Sequence, residues 1–332
     1  MIAHSSSSRS NMATKQVLKR LADGEFHSGQ ALADEWGVSR TAVWKQVESL
    51  TGVGLDVERV RGKGYRLKGG LELLDQGLIT AELDALARAQ LCELQLLDHT
   101  DSTNAELQRD SAPMAGARVC LAEYQSAGRG RRGRQWLSPY GSNIYCSVAW
   151  TFEGGAEVLE GLSLAVGVIL CDALMACGVE GLALKWPNDL LLQGRKLAGV
   201  LVEVQGDLDG PVTAIIGVGV NVRMPESIRG GIDQPWSDLS NESGASRNRV
   251  IGRYLNGLLP ALANYEAGGF EPWHSRWLAL DAYADAPVMV HSGNQRTAGI
   301  ARGVDGRGAL RLETGAGIET LYGGEVSLRP AP

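Results

Sequence analysis

Apolar residues recur at helical spacing in the N-terminal part of the chain. Val17, Leu18 and Leu21 share one face of a predicted helix from Lys15 to Ala22. Two more short helices are predicted, residues 30–36 and 40–50, because Ser28 and Ser39 can cap their starts. Two strand-like segments, 55–60 and 65–67, then flank a basic glycine turn over residues 61–64. This order predicts a helix-turn-helix followed by a β-hairpin wing.

The middle of the chain alternates between strand-like and helical patterns. Short apolar runs that end in glycine, proline or polar residues predict strands, and longer runs with a period of three to four predict helices. The predicted strands are 94–97, 119–122, 144–150, 182–185, 196–204 and 212–222, and the predicted helices are 105–110, 157–177, 249–265 and 272–279. From about residue 287, five short strands between glycine turns predict a small antiparallel barrel of the SH3-like type.

These patterns predict an α+β multidomain protein. We place a winged helix-turn-helix domain at 12–67, a mixed α/β domain at 80–280 and the small β-barrel at 285–332. The link between the first two contains glycines. With 44% hydrophobic residues in a chain of 332, each larger unit has enough apolar side chains for a core.

Charge distinguishes the N-terminal module from the rest. Residues 1–70 contain 11 Lys and Arg against 7 Asp and Glu, a net charge of +4. Because the whole chain has a net charge of −6, the remaining residues carry −10. A basic module on an acidic body indicates a polyanionic partner such as DNA, although helix-turn-helix pairs also serve as protein-interaction modules. The residues expected to contact DNA are Arg40, Thr41, Trp44 and Lys45 in the major groove and Arg61 and Lys63 at the phosphates.

Cysteine usage and hydropathy indicate the compartment. The five cysteines include no CxxC pair, so we predict buried free thiols in a reducing cytoplasm and neither a zinc site nor a disulfide framework. No signal-peptide pattern is present, and the longest apolar stretch, Leu162 to Leu170, is too short to span a bilayer. A cytoplasmic protein without a membrane partner is the prediction.

The most unusual segment is a loop over residues 124–136. Glycines let backbone N–H groups approach a ligand closely, and guanidinium groups suit carboxylate or phosphate. We therefore expect an anion site that stays mobile until the anion arrives; a solvated basic loop, or one that touches nucleic acid, is the alternative. The loop contains Gly128, Gly130 and Gly133 and the four arginines Arg129, Arg131, Arg132 and Arg134.

Three other segments present polar groups or bare backbone. Residues 101–104, Asp-Ser-Thr-Asn, either only cap the following helix or bind a neutral polar group such as a urea. Lys185 ends an apolar strand, and either an anionic ligand or Asp189 would balance its charge. Gly217 and Gly219 alternate along one strand face, which would admit a flat ligand, although bulges give the same pattern.

Taken together, these motifs resemble those of bacterial biotin protein ligases, and the helix-turn-helix is typical of the bifunctional type that also represses biotin operons. The resemblance covers nearly the whole chain from about Lys15. The motifs that carry it are Asp-Ser-Thr-Asn at 101–104, Gln125 with Gly-Arg-Gly-Arg-Arg-Gly at 128–133, Lys-Trp-Pro-Asn-Asp at 185–189, Arg-Lys-Leu-Ala-Gly at 195–199 and Gly-Val-Gly-Val-Asn at 217–221.

The resemblance implies a mixed α/β catalytic domain of the class II synthetase-like type. In that family, biotin and ATP with Mg²⁺ form biotinoyl-AMP and pyrophosphate, and the acyl group then passes to a lysine of a biotin carboxyl carrier domain. No metal-binding side chains and no permanent cofactor are expected. The implied partners are the carrier domain, operator DNA and a second copy of the chain in a ligand-promoted homodimer.

The resemblance also implies site residues. Arg131 and Lys185 would be catalytic. The implied biotin site is Ser102, Thr103, Asn104, Gln125, Arg129, Gly130, Arg131 and Lys185, and the implied ATP site is Gly128, Arg131, Trp136 and Asn221. The chain has no Walker A motif, so a P-loop ATP site is excluded. Two alternatives stay open: a lipoate–protein ligase, and a DNA-binding regulator that senses a metabolite without catalysis.

Overall fold

The structure is a computed structural model. It describes residues 16–52, 54–109, 115–206, 210–225, 232, 234–240, 242, 245–293, 295–323 and 326–330. Three modules follow one another along this part of the chain. The predicted first helical residue, Lys15, and both outer domain limits, 12 and 332, lie outside the described residues.

The N-terminal module is a helix-turn-helix with a β-hairpin, as the sequence predicts. Its elements are α1 (residues 16–21), α2 (Gly29–Trp36), α3 (Arg40–Gly52), β1 (Val57–Val60) and β2 (Gly64–Leu67). Ser28 and Ser39 accept backbone N–H groups at the starts of α2 and α3. Gly37, with a left-handed φ of 64°, ends α2 and allows the sharp turn into α3. β1 and β2 pair antiparallel to form the wing.

The central module is built on a seven-stranded sheet in the order β3-β4-β5-β9-β8-β7-β6, in which β3 and β4 are parallel and the other neighbours antiparallel. Ile215 and Ile216, consecutive on β9, belong to apolar clusters on opposite faces of this sheet. The strands are β3 (Leu91–Leu97), β4 (Ala117–Ala122), β5 (Ile144–Phe152), β6 (Leu182–Lys185), β7 (Asp189–Leu192), β8 (Arg195–Gly206) and β9 (Val212–Val220). The helices are α4 (Gln76–Ala81), α5 (Ala85–Gln90), α6 (Thr103–Arg109), α7 (Leu162–Met175), α8 (Arg247–Gly268) and α9 (Glu271–Ala279).

The apolar segment predicted as one helix over 157–177 is divided in two. Ala156–Leu159 forms a short 3-10 helix, and α7 begins after Gly161, whose φ is 71°. A side chain at Gly161 would meet Phe270 at 2.5 Å, so both conformation and space require glycine. Ala156–Met175 is long and apolar enough to cross a membrane, but 61% of its most apolar window is buried inside the protein. It therefore fits a core helix.

The C-terminal module is a five-stranded antiparallel sheet in the order β13-β12-β11-β10-β14. Val288 and Leu312 from this sheet belong to the same apolar cluster as the core of the central module. Trp186 of the central module also donates its indole N–H to the Gly308 carbonyl at 3.1 Å. The two modules thus share one core. The strands are β10 (Pro287–Ser292), β11 (Gln295–Val304), β12 (Leu310–Thr314), β13 (Gly317–Leu321) and β14 (Val326–Pro330).

The link after the wing is held against the central module by hydrogen bonds. The Glu72 carboxylate accepts from the backbone N–H of Arg247 at 2.6 Å and from Asn248 Nδ2 at 2.8 Å. Tyr140, from the central module, packs into the apolar cluster of the N-terminal module together with Leu71. The glycine-containing link is therefore an ordered joint between the two modules.

All five cysteines are free thiols, as predicted. Cys120, Cys146, Cys171 and Cys177 are buried, and burial raises the pKa of each, for Cys120 to about 12. Cys92 is exposed, so the expectation of burial is wrong for that residue.

Candidate active site

A cavity of about 900 Å³ lies between the arginine-rich loop, strands β8 and β9, and the C-terminal module. Its size suits one or two ligands of metabolite size. Most of the residues implied by the family resemblance line it: Ser102, Thr103, Asn104, Gln125, Arg129, Gly130, Arg131, Trp136, Lys185 and Asn221. Gly128 does not line the cavity among the residues that the structure describes. A Cβ atom on Gly128 would lie 2.4 Å from the Trp136 carbonyl oxygen, so the fold of the loop requires glycine there.

One part of the wall is a network of neutral polar groups. Gln125 Oε1 accepts from the Thr103 backbone N–H at 2.9 Å and from its hydroxyl at 3.1 Å, and Gln125 Nε2 donates to Ser138 Oγ at 3.0 Å. On the other side of Thr103, Ser147 Oγ lies 2.7 Å from Thr103 Oγ1 and 2.5 Å from Asn104 Oδ1. Because every member is held by another, the network presents hydrogen-bonding groups in fixed directions.

The segment 101–104 lies at the start of α6 and also contributes to the cavity wall, and its two predicted roles stay predictions. Asp101 Oδ1 accepts the backbone N–H of Ser102 at 2.7 Å, next to the start of α6, while Asp101 is not among the described wall residues. Ser102, Thr103 and Asn104 are buried and form part of the wall.

The alternating glycines of β9 leave space for side chains of this protein. A Cβ on Gly217 would lie 2.3 Å from Asn104 Oδ1, and one on Gly219 would lie 2.5 Å from the Trp136 ring. The flat group against Gly219 is therefore the Trp136 indole. Its N–H is buried without a hydrogen-bond partner among the described residues, so a donor is left at the cavity wall.

Beside Trp136 the wall becomes cationic. Lys185 Nζ lies 3.5 Å from Asp189 Oδ2, and Lys196 Nζ lies 2.6 Å from Asp189 Oδ1. Two ammonium groups thus share one carboxylate, so this group of side chains carries a net positive charge. Burial lowers the pKa of Lys185, and Asp189 opposes that shift. Asp189 is therefore a partner of Lys185, as one of the two explanations predicts, and the excess positive charge lies at the cavity. The anionic ligand stays a prediction.

Lys196 is a wall residue to which the sequence reasoning gave no role. Its ammonium lies 5.5 Å from the centre of the Trp136 ring, within range of a cation–π interaction. The signal was available, because Lys196 belongs to the Arg-Lys-Leu-Ala-Gly motif at 195–199. Its proximity to Asp189, however, depends on the pairing of β7 with β8.

Residues 128–136 fold into a hairpin in which Trp136 N–H donates to the Gly128 carbonyl at 2.9 Å. Arg131 reaches away from this hairpin: it donates to Asn188 Oδ1 at 3.0 Å and to the Gly323 carbonyl at 2.7 Å. Arg131 therefore joins the loop to the central and C-terminal modules at the wall of the cavity. The predicted mobility of the loop stays a prediction.

The six residues expected to contact DNA are all exposed in the N-terminal module. Arg40, Thr41, Trp44 and Lys45 lie in the first turns of α3, and Arg61 and Lys63 lie at the tip of the wing. Lys63 and Arg66 both lie over the ring of Phe26, at 5.6 and 4.5 Å from its centre.

In the part of the chain that the structure describes, no group of three or more His, Cys, Asp or Glu side chains could hold a metal ion.

Comparison with known proteins agrees with this arrangement. Models for the biotin/lipoate A/B protein ligase family, an HTH domain and the biotin protein ligase C terminal domain match residues 96–221, 14–66 and 286–329. The chain is 41% identical over 317 residues to the bifunctional ligase/repressor BirA of Salmonella typhimurium, a match that covers 95% of this chain and 97% of that protein. The chain belongs to the BirA family of bifunctional ligase/repressors.

Further relatives support the same family. The Escherichia coli BirA is 39% identical over 325 residues, covering 97% of this chain and 99% of that protein. Among solved structures, the biotin protein ligase from Aquifex aeolicus in complex with biotin and ATP matches with a TM-score of 0.61 and 28% identity, covering 73% of this chain and 99% of that one. The fold class predicted from the sequence is confirmed.

Proposed function

We propose that this protein is a biotin–protein ligase that also represses transcription. It joins biotin and ATP into biotinoyl-AMP and transfers the biotinoyl group to a lysine of a biotin carboxyl carrier domain. The observation that carries the proposal is that a neutral hydrogen-bonding wall adjoins a cationic wall in one cavity. A ureido ring suits the first wall, and a carboxylate beside a phosphate suits the second.

In the first step, a biotin carboxylate oxygen attacks the α-phosphorus of ATP, and pyrophosphate leaves as the bond to its bridging oxygen breaks. The two anions repel each other as they approach. Lys185, Lys196 and Arg131 offset that repulsion and stabilise the charge that develops in the transition state. Mg²⁺ arrives with ATP as part of the substrate. In the second step, the carrier lysine attacks the acyl carbon, loses a proton, and AMP leaves.

We assign the remaining groups on the same basis. Ser102, Thr103, Asn104 and Gln125 bind the ureido end of biotin, and Trp136 and Asn221 lie on the nucleotide side. The arginine-rich loop, whose fold requires Gly128, closes over the adenylate with Arg129, Gly130 and Arg131. A reactive mixed anhydride requires such protection from water.

The N-terminal module is the repressor part of the proposal. Arg40, Thr41, Trp44 and Lys45 enter the major groove of operator DNA, and Arg61 and Lys63 bind its phosphates.

The protein acts in the cytoplasm and forms a homodimer that biotinoyl-AMP promotes. The functional units are 12–67, 80–280 and 285–332. Sedimentation with and without the adenylate tests the dimer.

The decisive experiment is incubation with ATP, Mg²⁺, biotin and a carrier domain, followed by intact mass measurement. We expect the carrier to gain one biotinoyl group. Omission of ATP, or replacement of the carrier's target lysine by arginine, should prevent the gain. Preferential attachment of lipoate would favour the rival ligase, and absence of biotin-dependent pyrophosphate release would favour a non-catalytic sensor.

A further inference from the structure

Glu203 on β8 joins the neutral wall to the arginine-rich loop, although it is not among the described residues that line the cavity. Its Oε2 atom accepts from Asn104 Nδ2 at 2.7 Å and from an Arg129 Nη at 3.1 Å. Asn104 is only 3% exposed, so its amide has no bulk water to replace these partners. The Glu203 carboxylate therefore holds the buried Asn104 amide in place through the hydrogen bond from its NH₂ group.

The chemistry of the two groups fixes which way the amide points. An ionised carboxylate accepts hydrogen bonds and donates none, so the Asn104 NH₂ group must face Glu203. The opposite orientation would place the amide oxygen against a carboxylate oxygen, and two acceptors at that distance repel. The Asn104 carbonyl oxygen consequently points the other way, towards Ser147 Oγ at 2.5 Å and the bare backbone of Gly217.

The amide orientation decides what the wall offers a ligand. A carbonyl oxygen has two lone pairs, and the Ser147 hydroxyl occupies one of them. The second is available to a ligand N–H group, because Asn104 and Gly217 both line the cavity. If the amide turned over, the same position would present a donor and would match a different ligand.

We propose that Glu203 is a positioning residue that determines specificity: it fixes the Asn104 amide so that the cavity presents an acceptor to a ligand N–H. This inference rests on the proposed function, because the ureido ring of biotin supplies such N–H groups. Glu203 acts through Asn104 and not on the reacting atoms. Its effect therefore belongs to recognition of the ureido ring.

The test compares biotin with its cyclic carbonate analogue, in which oxygen replaces both ureido N–H groups. Calorimetric Kd values are measured for wild type, Glu203→Gln and the control Glu180→Gln, which removes the same charge at an exposed position. In Glu203→Gln, biotin binding should weaken about tenfold, while binding of the analogue stays unchanged or improves. The control should match wild type for both ligands. Equal weakening of both ligands, or no weakening, would overturn the inference.

A swap of the two side chains sharpens the test. Asn104→Asp alone places a second carboxylate against Glu203 and should abolish the preference for biotin over the analogue. The double variant Asn104→Asp with Glu203→Gln restores a donor at 203 and an acceptor at 104, so it should recover most of the preference. A double variant no better than Asn104→Asp alone would contradict the proposed role.

The outcomes separate this inference from the function on which it rests. Wild-type protein that fails to bind biotin would contradict the proposed ligase activity itself. Wild-type protein that binds biotin, together with an unchanged preference in Glu203→Gln, would contradict only the role of Glu203.

Discussion

A guanidinium nitrogen of Arg247 lies 2.8 Å from a carboxylate oxygen of Glu123, and the two side chains are only 3% and 4% exposed. The same guanidinium donates to the Glu72 carbonyl at 2.7 Å and to the Asn143 carbonyl at 2.9 Å. Glu123 also accepts the backbone N–H of Leu74 at 2.6 Å. The first residue of α8 thus fastens the link after the wing to the end of β4, two residues before Gln125.

Replacing Arg247 by methionine should leave the Glu123 carboxylate buried and unpaired. Breaking a buried pair in this way costs about 3–5 kcal/mol, and we expect a loss of that size in the free energy of unfolding measured with urea. The exposed neighbour in Arg249→Met is the matched control, and Arg247→Met with Glu123→Leu should recover part of the loss. A loss under about 1 kcal/mol would show that water replaces the guanidinium.

Lys185→Ala and Lys196→Ala should each slow adenylate formation, because each removes a cation from the wall where the two anions meet. Loss of one charge-assisted contact of about 2–5 kcal/mol corresponds to roughly tenfold to several-thousandfold in rate. Biotin-dependent pyrophosphate release measures the rate, with the exposed Lys19→Ala as control. Wild-type release by either variant would remove that lysine from the mechanism.

Removal of residues 1–67 should abolish operator binding and leave some ligase activity, because the cavity lies in the other two modules. The truncation also exposes the Tyr140 ring, which packs in the apolar cluster of the N-terminal module, so the melting temperature should fall. Electrophoretic mobility shift and carrier labelling measure the two functions. A truncated protein that still shifts the operator would refute the assignment of DNA binding to this module.

Arg131→Gly should weaken retention of biotinoyl-AMP more than its synthesis. Arg131 is the side chain that ties the loop to Asn188 and Gly323, and the glycines around it favour disorder once those contacts are lost. Lys185 and Lys196 would still assist the first step. The released anhydride should then acylate a bystander protein that lacks a carrier domain. If the variant and wild type label the bystander equally while both form adenylate, the loop is not a lid.

Asp281→Asn should stabilise the protein at neutral pH by about 1 kcal/mol, because it replaces a buried carboxylate charge by a neutral amide. Asp281 Oδ2 is buried without a hydrogen-bond partner among the described residues, and burial raises the pKa of this carboxyl. The folded state therefore favours the neutral acid. Wild-type stability should fall as pH rises from the ordinary pKa of about 3.9 through the raised value.

Melting temperatures of the variant and the wild type, measured at several pH values, test this. The difference between the two melting temperatures should vanish in acid, and a constant difference would exclude ionisation of Asp281 as its cause.

Local signals in the sequence were sufficient for much of the fold. Ser28, Gly37 and Ser39 set helix limits through contacts within four residues, and the alternating apolar positions of β9 define a strand with one continuous buried face. The glycine-arginine loop and Lys185 also predicted an anion site, although a solvated loop and an Asp189 partner stayed open as alternatives until the structure placed both segments at one cavity. Gly161 shows the limit of periodicity, since apolar residues at helical spacing on both sides of it concealed a turn that Phe270 packs against.

Only the tertiary structure decided which side chains meet in the site. Lys196 reaches Asp189 because β7 and β8 pair with Asp189 opposite Gly199, and Glu203 reaches Asn104 across 99 residues of sequence. A helix cap or a strand pattern depends on near neighbours, so the sequence alone determines it. A pair across the sheet depends on register, and a shift of one residue would turn each of these side chains to the opposite face. The ligand chemistry of the wall is therefore set by strand pairing.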